Sequence, residues 1–227
     1  MSEILIEVAS ISKQYGALRP LRLQSLSLAP GDRVALMGLD QPAAEVLINL
    51  LTGASLPDTG QIRLFGRPTE EISDSTDWLA TLDRLGLVSE RAALLGPMTV
   101  LQNLAMPFSL DVEPPPPEIA ALAGAIADEV GLPEPLWDRR AGDLDEATRM
   151  RVRLGRALAF NPSLLLLEHP SATLARQDVE RFARDVRHVA SRRALALLTI
   201  TADVEFARAA NIQTLVLEPA TGRLKRR

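Results

Sequence analysis

Two stretches of this chain put ionisable side chains where a folded protein presents its reactive groups. The first is Glu168-His169-Pro170. It follows the apolar run Ser163-Leu164-Leu165-Leu166-Leu167, itself set off by the stop Asn161-Pro162. A run bounded in this way predicts a strand buried on both faces of a parallel sheet. Open α/β sheets place ligands at the carboxyl ends of such strands. A neutral imidazole at that place can accept a proton from water. The plainer alternative is a carboxylate bonded locally at the strand end, beside a structural histidine. The second stretch is Gly38-Leu39-Asp40-Gln41-Pro42-Ala43-Ala44-Glu45-Val46, which leads into a helix expected over residues 43–51. A helix N-terminus attracts anions through its unpaired N–H groups and its dipole. Asp40 can take up those N–H groups as a cap, and Glu45 adds a second negative charge. Two like charges 4 Å apart interact by ~4 kcal/mol at an effective dielectric of 20. A phosphate would therefore meet repulsion here. The alternative is that both acids simply stabilise a first helical turn, by ~0.3–1 kcal/mol each.

These groups need elements to hold them. Ala147, Met150, Leu154, Ala157 and Leu158 recur at helical spacing ahead of Asn161-Pro162. Asp143 and Glu146 are spaced as a capping box for that helix. Arg149, Arg153 and Arg156 fall on one of its faces, which reads as a solvated face. Strands are expected at 4–8, 33–37, 61–66, 194–200 and 214–217. Residues 21–28 alternate apolar and polar with one slip, as an edge or hairpin strand does. Helices are expected over 77–85, 118–130 and around 182–189. The prolines 114–117 form an extended, non-helical run.

Composition narrows the function classes. The chain has 227 residues, 47% hydrophobic and 24% charged, which is ordinary for a globular protein. A formal net charge of -4 argues against a general nucleic-acid binder. There is no cysteine, so disulfide and thiolate chemistry are excluded and a reducing compartment is expected. Two histidines leave little room for a zinc site. No apolar run approaches the ~20 residues of a membrane helix. The acidic start Met1-Ser2-Glu3 does not read as a signal peptide. Membrane contact is expected only through a partner.

The stretch from Gly142 to Leu174 resembles the ATP-binding-cassette nucleotide-binding domain, the motor subunit of ABC transporters. That family carries LSGGQ, a helix of the type QRVxLARAL, an N-P-x turn, four apolar residues, DEP and S-x-LD. Here the frame reads Leu144-Asp145-Glu146-Ala147-Thr148, then the arginine-rich helix, Asn161-Pro162, the leucine run, Glu168-His169-Pro170 and Ala175. Met98-Thr99-Val100-Leu101-Gln102-Asn103-Leu104-Ala105-Met106-Pro107 is similar to the family's MTVLENVALPL. The likeness runs over nearly the whole length. It implies a P-loop α/β fold with a mostly parallel central sheet, an antiparallel β-subdomain and a helical subdomain near 87–160, all in one domain, 1–227.

The resemblance also assigns positions. The family's phosphate loop, GxxxxGKS or GxxxxGKT, falls on Gly38 to Val46, with Ala43 at the second glycine, Ala44 at the lysine and Glu45 at the magnesium hydroxyl. Glu90 takes the Q-loop glutamine, Glu168 the metal-binding Asp, His169 the catalytic Glu and Ala202 the H-loop histidine. Tyr15 takes the aromatic that stacks on adenine. Glu168 is one methylene longer than the residue it replaces and can reach a metal-bound water. ATP and magnesium are the family's cofactors. With these replacements none is expected here, nor an intact catalytic residue. The implied function is a subunit that has lost ATP binding and hydrolysis. It would be a structural or regulatory half docked on a permease at the inner face of the membrane, with a competent ABC ATPase as one candidate partner. An active ATPase with an unusual site is the alternative, and a soluble interaction module a third reading.

Overall fold

The computed structural model describes residues 4–72 and 74–227. Met1–Glu3, with the acidic start read above, lie outside the described residues. The described strands form two sheets. The smaller has the order β2-β1-β4-β5 and is antiparallel, from β1 (Ile6–Lys13), β2 (Leu21–Leu28), β4 (Thr59–Leu64) and β5 (Arg67–Pro68). Strand β2 lies at its edge, as its alternation predicts. The larger has the order β10-β9-β3-β8-β7-β6. It comprises β3 (Arg33–Met37), β6 (Leu85–Val88), β7 (Leu164–Glu168), β8 (Ala196–Ile200), β9 (Gln213–Glu218) and β10 (Arg223–Arg226). Its pairs are parallel except the terminal hairpin β9–β10.

The leucine run explains how the larger sheet is covered. Side chains alternate across a strand. Leu164 and Leu166 pack with Leu47, Ile48 and Leu51 of α1 (Gln41–Leu51) and with the small sheet. Leu165 and Leu167 pack on the opposite side with Met150 and Leu154 of α5 (Glu146–Ala157) and Phe182 and Val186 of α6 (Arg176–Arg192). Both faces are therefore buried, and no position in the run tolerates a polar residue until Glu168. Helices α2 (Ser75–Leu82), α3 (Val100–Ala105), α4 (Pro117–Glu129) and α7 (Val204–Ala209) complete the chain. The α/β class with parallel and antiparallel sheets is as the sequence implies. No described helix is long and apolar enough to cross a membrane.

Several boundaries differ from expectation, each for a local reason. Helix α1 begins at Gln41 because Asp40 caps it, with Pro42 in the first turn. Helix α2 starts at Ser75 under an Asp74 cap and stops at Leu82, leaving Leu85 to open β6. Strand β4 covers 59–64, and Phe65-Gly66, both at positive φ, turn into β5. Pro117 is not extended but opens α4, where its missing N–H is no loss. Residues 141–143 form a 3-10 turn, so the cap of α5 is Asp145 and not Asp143.

Candidate functional site

Strand β3 ends at Met37, and Gly38 turns the chain at φ 91°. A Cβ on Gly38 would lie 2.7 Å from the Leu217 carbonyl oxygen, so only glycine fits this close approach. Asp40 follows, and its carboxylate accepts the Ala43 N–H at 2.9 Å. Ala43 and Ala44 turn into the core, Ala44 fully buried. Glu45 and Val46 are half-buried on the outer side of the first turn.

Across from this turn, β7 delivers Glu168 with a side chain fully shielded from solvent. A buried carboxylate needs partners or it would shed its charge. Glu168 has four contacts. Its Oε1 accepts from Gln41 Nε2 at 2.7 Å. Its Oε2 accepts from Ser89 Oγ at 2.9 Å and from Arg91 Nη2 and Nε at 2.8 and 3.1 Å. Ser89 Oγ in turn accepts the Arg91 backbone N–H at 3.1 Å. The third guanidinium nitrogen, Nη1, reaches Glu45 Oε1 at 3.1 Å. One guanidinium thus bridges the first turn of α1 and the tip of β7. It comes from the turn that leaves β6, which α5 secures: Arg153 Nε donates to the Ala92 carbonyl at 3.4 Å and Arg156 Nη1 to the Ala93 carbonyl at 2.7 Å. Arg153 also pairs with Glu146 at 2.8 Å and Arg151 with Asp185 at 2.7 Å. The arginine face is largely engaged within the chain.

The remaining expected site residues are distributed around this knot. His169 has φ 43°, and its N–H donates to the Ile200 carbonyl at 2.8 Å. Its Nε2 is buried with no hydrogen-bond partner. Glu90 points outward and accepts from the Thr173 hydroxyl. Ala202 is exposed beside Asp203, which caps α7 and accepts from Ser171 Oγ at 3.0 Å. Tyr15 lines a cavity of about 200 Å³ with Arg19, Gly38, Asp40, Ala43 and Leu217. Burial, and then the Asp40 carboxylate, push its phenol above the ordinary tyrosine value. Asp145 accepts the Thr148 N–H at 2.7 Å, and that bond holds its carboxyl below the usual range.

Gln41, Ser89 and Arg91 are the residues that reading the sequence missed. The available signal was electrostatic: a glutamate ending an all-leucine strand requires a cation, and Arg91 directly follows the Ser89-Glu90 turn. Glu168 is bonded not locally but to residues 77 to 127 positions away.

Comparison with known proteins agrees with this fold. The family model described as ABC transporter matches residues 21–172. A sulfate/thiosulfate import ATP-binding protein, CysA, of Bordetella bronchiseptica is 32% identical over 82% of this chain and 53% of its own length. The chain spans about half the length of the curated relatives it matches. Among solved structures, cbiO1 from Clostridium perfringens, part of the ABC transporter complex cbiONQ, superposes with a TM-score of 0.81 at 17% identity, covering 98% of this chain and 87% of that one. A dimeric ATP-binding cassette in a post-hydrolysis state, bound to ADP and Pi, gives 0.78 at 20% identity, covering 97% and 98%. These findings correct the expectation of no cofactor: the relatives are ATP-binding proteins, and the family's ligand is ATP with magnesium.

Proposed function

The chain belongs to the ABC transporter family, and from that premise we propose that it is an ATP-binding-type subunit that sits on a membrane permease and does not itself hydrolyse ATP. The observation carrying this reading is the Arg91 bridge between Glu45 and Glu168. In P-loop NTPases magnesium is held by the loop's Ser or Thr and by a strand-end Asp. On the family frame those positions are Glu45 and Glu168, and a guanidinium already lies between them. The guanidinium supplies, between these two side chains, a positive charge fixed within the chain. The phosphate end is equally changed. Ala44, where the family has lysine, offers no cation and is buried, and the Ala43 N–H is taken by Asp40. His169, at the position of the family's catalytic Glu, is tied by its main chain to Ile200, and its Nε2 has no partner to orient it as a base. The base end is different, since the Tyr15 cavity stays open.

The import names of the curated relatives support an import complex. In this reading the chain is one nucleotide-binding domain, with a helical part near 87–160. It lies at the inner membrane face through its permease and is paired with a copy of itself or with a competent ATPase subunit. The supporting feature is an apolar groove of about 520 Å³ between Leu79, Leu82, Leu87, Met106, Pro107 and Phe160.

The test is phosphate release from Mg-ATP by the purified chain, alone and reconstituted with its permease. The expected rate is indistinguishable from that of a Glu168→Gln variant. Turnover that disappears in that variant sinks the reading.

A further inference from the structure

We propose that the acidic stretch 111–138 and the arginine side of α6 form one self-complementary surface, on which a second copy of this chain docks about a two-fold axis. None of the residues involved belongs to the first turn of α1, the Tyr15 cavity or the apolar groove.

The net charge of -4 conceals a segregation of charge. From Asp111 to Asp138 there are seven acidic residues and no lysine or arginine. Asp111, Glu113, Glu118, Asp128, Glu134 and Asp138 are exposed, and none of them has an ion pair among the described residues. Glu129 is half-buried and paired with Arg193. Helix α6 is the reverse, with five arginines against three acids. Two of those acids are spent on other elements, Glu180 on Arg208 at 2.9 Å and Asp185 on Arg151 at 2.7 Å. Arg181, Arg184, Arg187 and Arg192 are exposed and unpaired among the described residues. Arg181, Arg184, His188 and Arg192 recur every three or four residues, so they run along one side of the helix, opposite the buried Phe182, Val186 and Val189. A helix face that meets only solvent ordinarily alternates charge. A block of one sign repels within itself and is relieved by a surface of the other sign.

The two charged regions adjoin, and this identifies the opposite surface. Arg193 donates through Nε to Glu129 at 2.8 Å and through Nη1 to the Leu158 carbonyl at 2.8 Å, which ties the end of α4 to the end of α6. Beside that tie lies a cleft of about 410 Å³, lined by Gly131, Pro133 and Leu136 of the acidic stretch and by Asp178 and Arg181 of α6. One molecule thus presents an acidic wall and a basic wall side by side. A two-fold axis through the cleft lays each wall on its opposite in a second copy, which is the condition for a closed, isologous dimer. Leu122, 49% exposed between Glu118 and Asp128 on α4, offers the apolar contact. Each helix presents a face roughly 20–25 Å long. That is small for a protein interface, so the pairing is of the weak, salt-sensitive kind.

The experiment is sedimentation velocity on the full chain without nucleotide or permease, at about 100 µM protein and at about 20 and 500 mM salt. Wild type should be mainly dimeric at the low salt and monomeric at the high salt, where screening acts within a few ångströms. Arg181→Glu/Arg184→Glu reverses the basic wall beside the cleft, and Asp128→Arg/Glu134→Arg reverses the acidic one. Each variant alone should be monomeric at both salts, since its two copies meet like charge. Mixed in equal amounts at low salt, the two variants should pair with each other, because both contacts then join opposite charges. All four positions are exposed, so each variant should melt within about 4 °C of wild type. If a reversed variant does not fold, Arg181→Gln/Arg184→Gln or Asp128→Asn/Glu134→Gln takes its place and should weaken the dimer at low salt by about tenfold or more. The inference is overturned if wild type is monomeric at low salt, if its dimer is indifferent to salt, or if the mixed variants stay apart. It is equally overturned by a monomeric wild type that sediments with phosphatidylglycerol vesicles and loses that binding in Arg181→Glu/Arg184→Glu, which would give the arginine side of α6 to an anionic lipid surface.

Discussion

Two parts of the molecule use polar side chains in opposite ways. Around the first turn of α1 the polar groups close on one another: Asp40 on the Ala43 N–H, and Glu45 and Glu168 on Arg91. Between Leu95 and Met106 they close on the backbone. Buried Asn103 accepts the Leu95 N–H at 2.9 Å and donates to the Leu95 and Thr99 carbonyls at 3.1 and 2.9 Å. Thr99 and Gln102 form a reciprocal capping box on α3. The first arrangement leaves few donors facing outward. The second ties a loop down through its main chain, and the segment ends at Met106, which with Pro107 lines an open groove. A site that satisfies itself has little left for a ligand, whereas a loop satisfied through its main chain keeps its surface for a partner.

The largest expected effect breaks that comparison at the groove. Leu79 and Phe160 are 55% and 54% exposed on its rim. Leu79→Asp and Phe160→Asp should abolish co-purification with the permease while the melting temperature stays within about 2 °C of wild type, because exposed substitutions rarely destabilise by more than ~0.5 kcal/mol. His169→Ala should leave assembly intact. Groove variants that remain bound, beside a His169 variant that stops transport, would reverse the roles assigned to the two regions.

Next in size is Asn103→Ala. It removes four hydrogen bonds, the weakest to the Met98 carbonyl at 3.4 Å, and leaves the Leu95 N–H and three carbonyls to find other partners. At ~1 kcal/mol per bond, with more for any group left buried and unpaired, urea unfolding should show a loss of roughly 3 kcal/mol. A loss below about 1 kcal/mol would mean that the loop is held by its other contacts. Ala44→Lys is smaller and sharper. Its side chain would enter the packed cluster of Leu47, Leu36 and Leu166. The expected cost is about 1–3 kcal/mol, with no gain in Mg-ATP turnover on the proposed reading, since Arg91 still bridges Glu45 and Glu168. Turnover regained from this one change would show that the turn already has the shape of a phosphate loop.

The sequence carried the frame well because the frame is local or periodic. The leucine run at 164–167 can only be a strand buried on two sides, and the Asp40 cap follows from residue type and position. The knot on Glu168 was illegible because it is tertiary. Arg91 is 77 residues from Glu168 and 46 from Glu45, and nothing periodic links them. The Asp143 capping box failed for a finer reason: a 3-10 turn at 141–143 uses up the residues that the spacing rule counts. The expectation of no cofactor failed because it weighed individual replacements against a frame that still places the chain among ATP-binding proteins.

The smallest effect concerns the cap of the other helix. Asp145 accepts the Thr148 N–H, and this bond, with Arg151 and Arg149 nearby, keeps its carboxyl below the ordinary range. A depressed folded value means that the carboxylate adds stability above the unfolded value of ~3.9. That contribution is lost as pH falls through the folded value. Asparagine caps a helix about as well as aspartate, so Asp145→Asn removes the charge and keeps the bond. Wild type should therefore exceed the variant by a small, constant margin between about pH 5 and 8, and the two curves should begin to converge as pH falls below about 4 and meet only below the folded value. Added salt should shrink the margin at neutral pH, because the carboxylate is exposed and its arginine neighbours act through solvent. A margin that does not shrink at all as pH falls below about 4 would mean that the amide fits the Thr148 N–H poorly. The effect would then be one of geometry, and Asp145 would stabilise α5 without its charge.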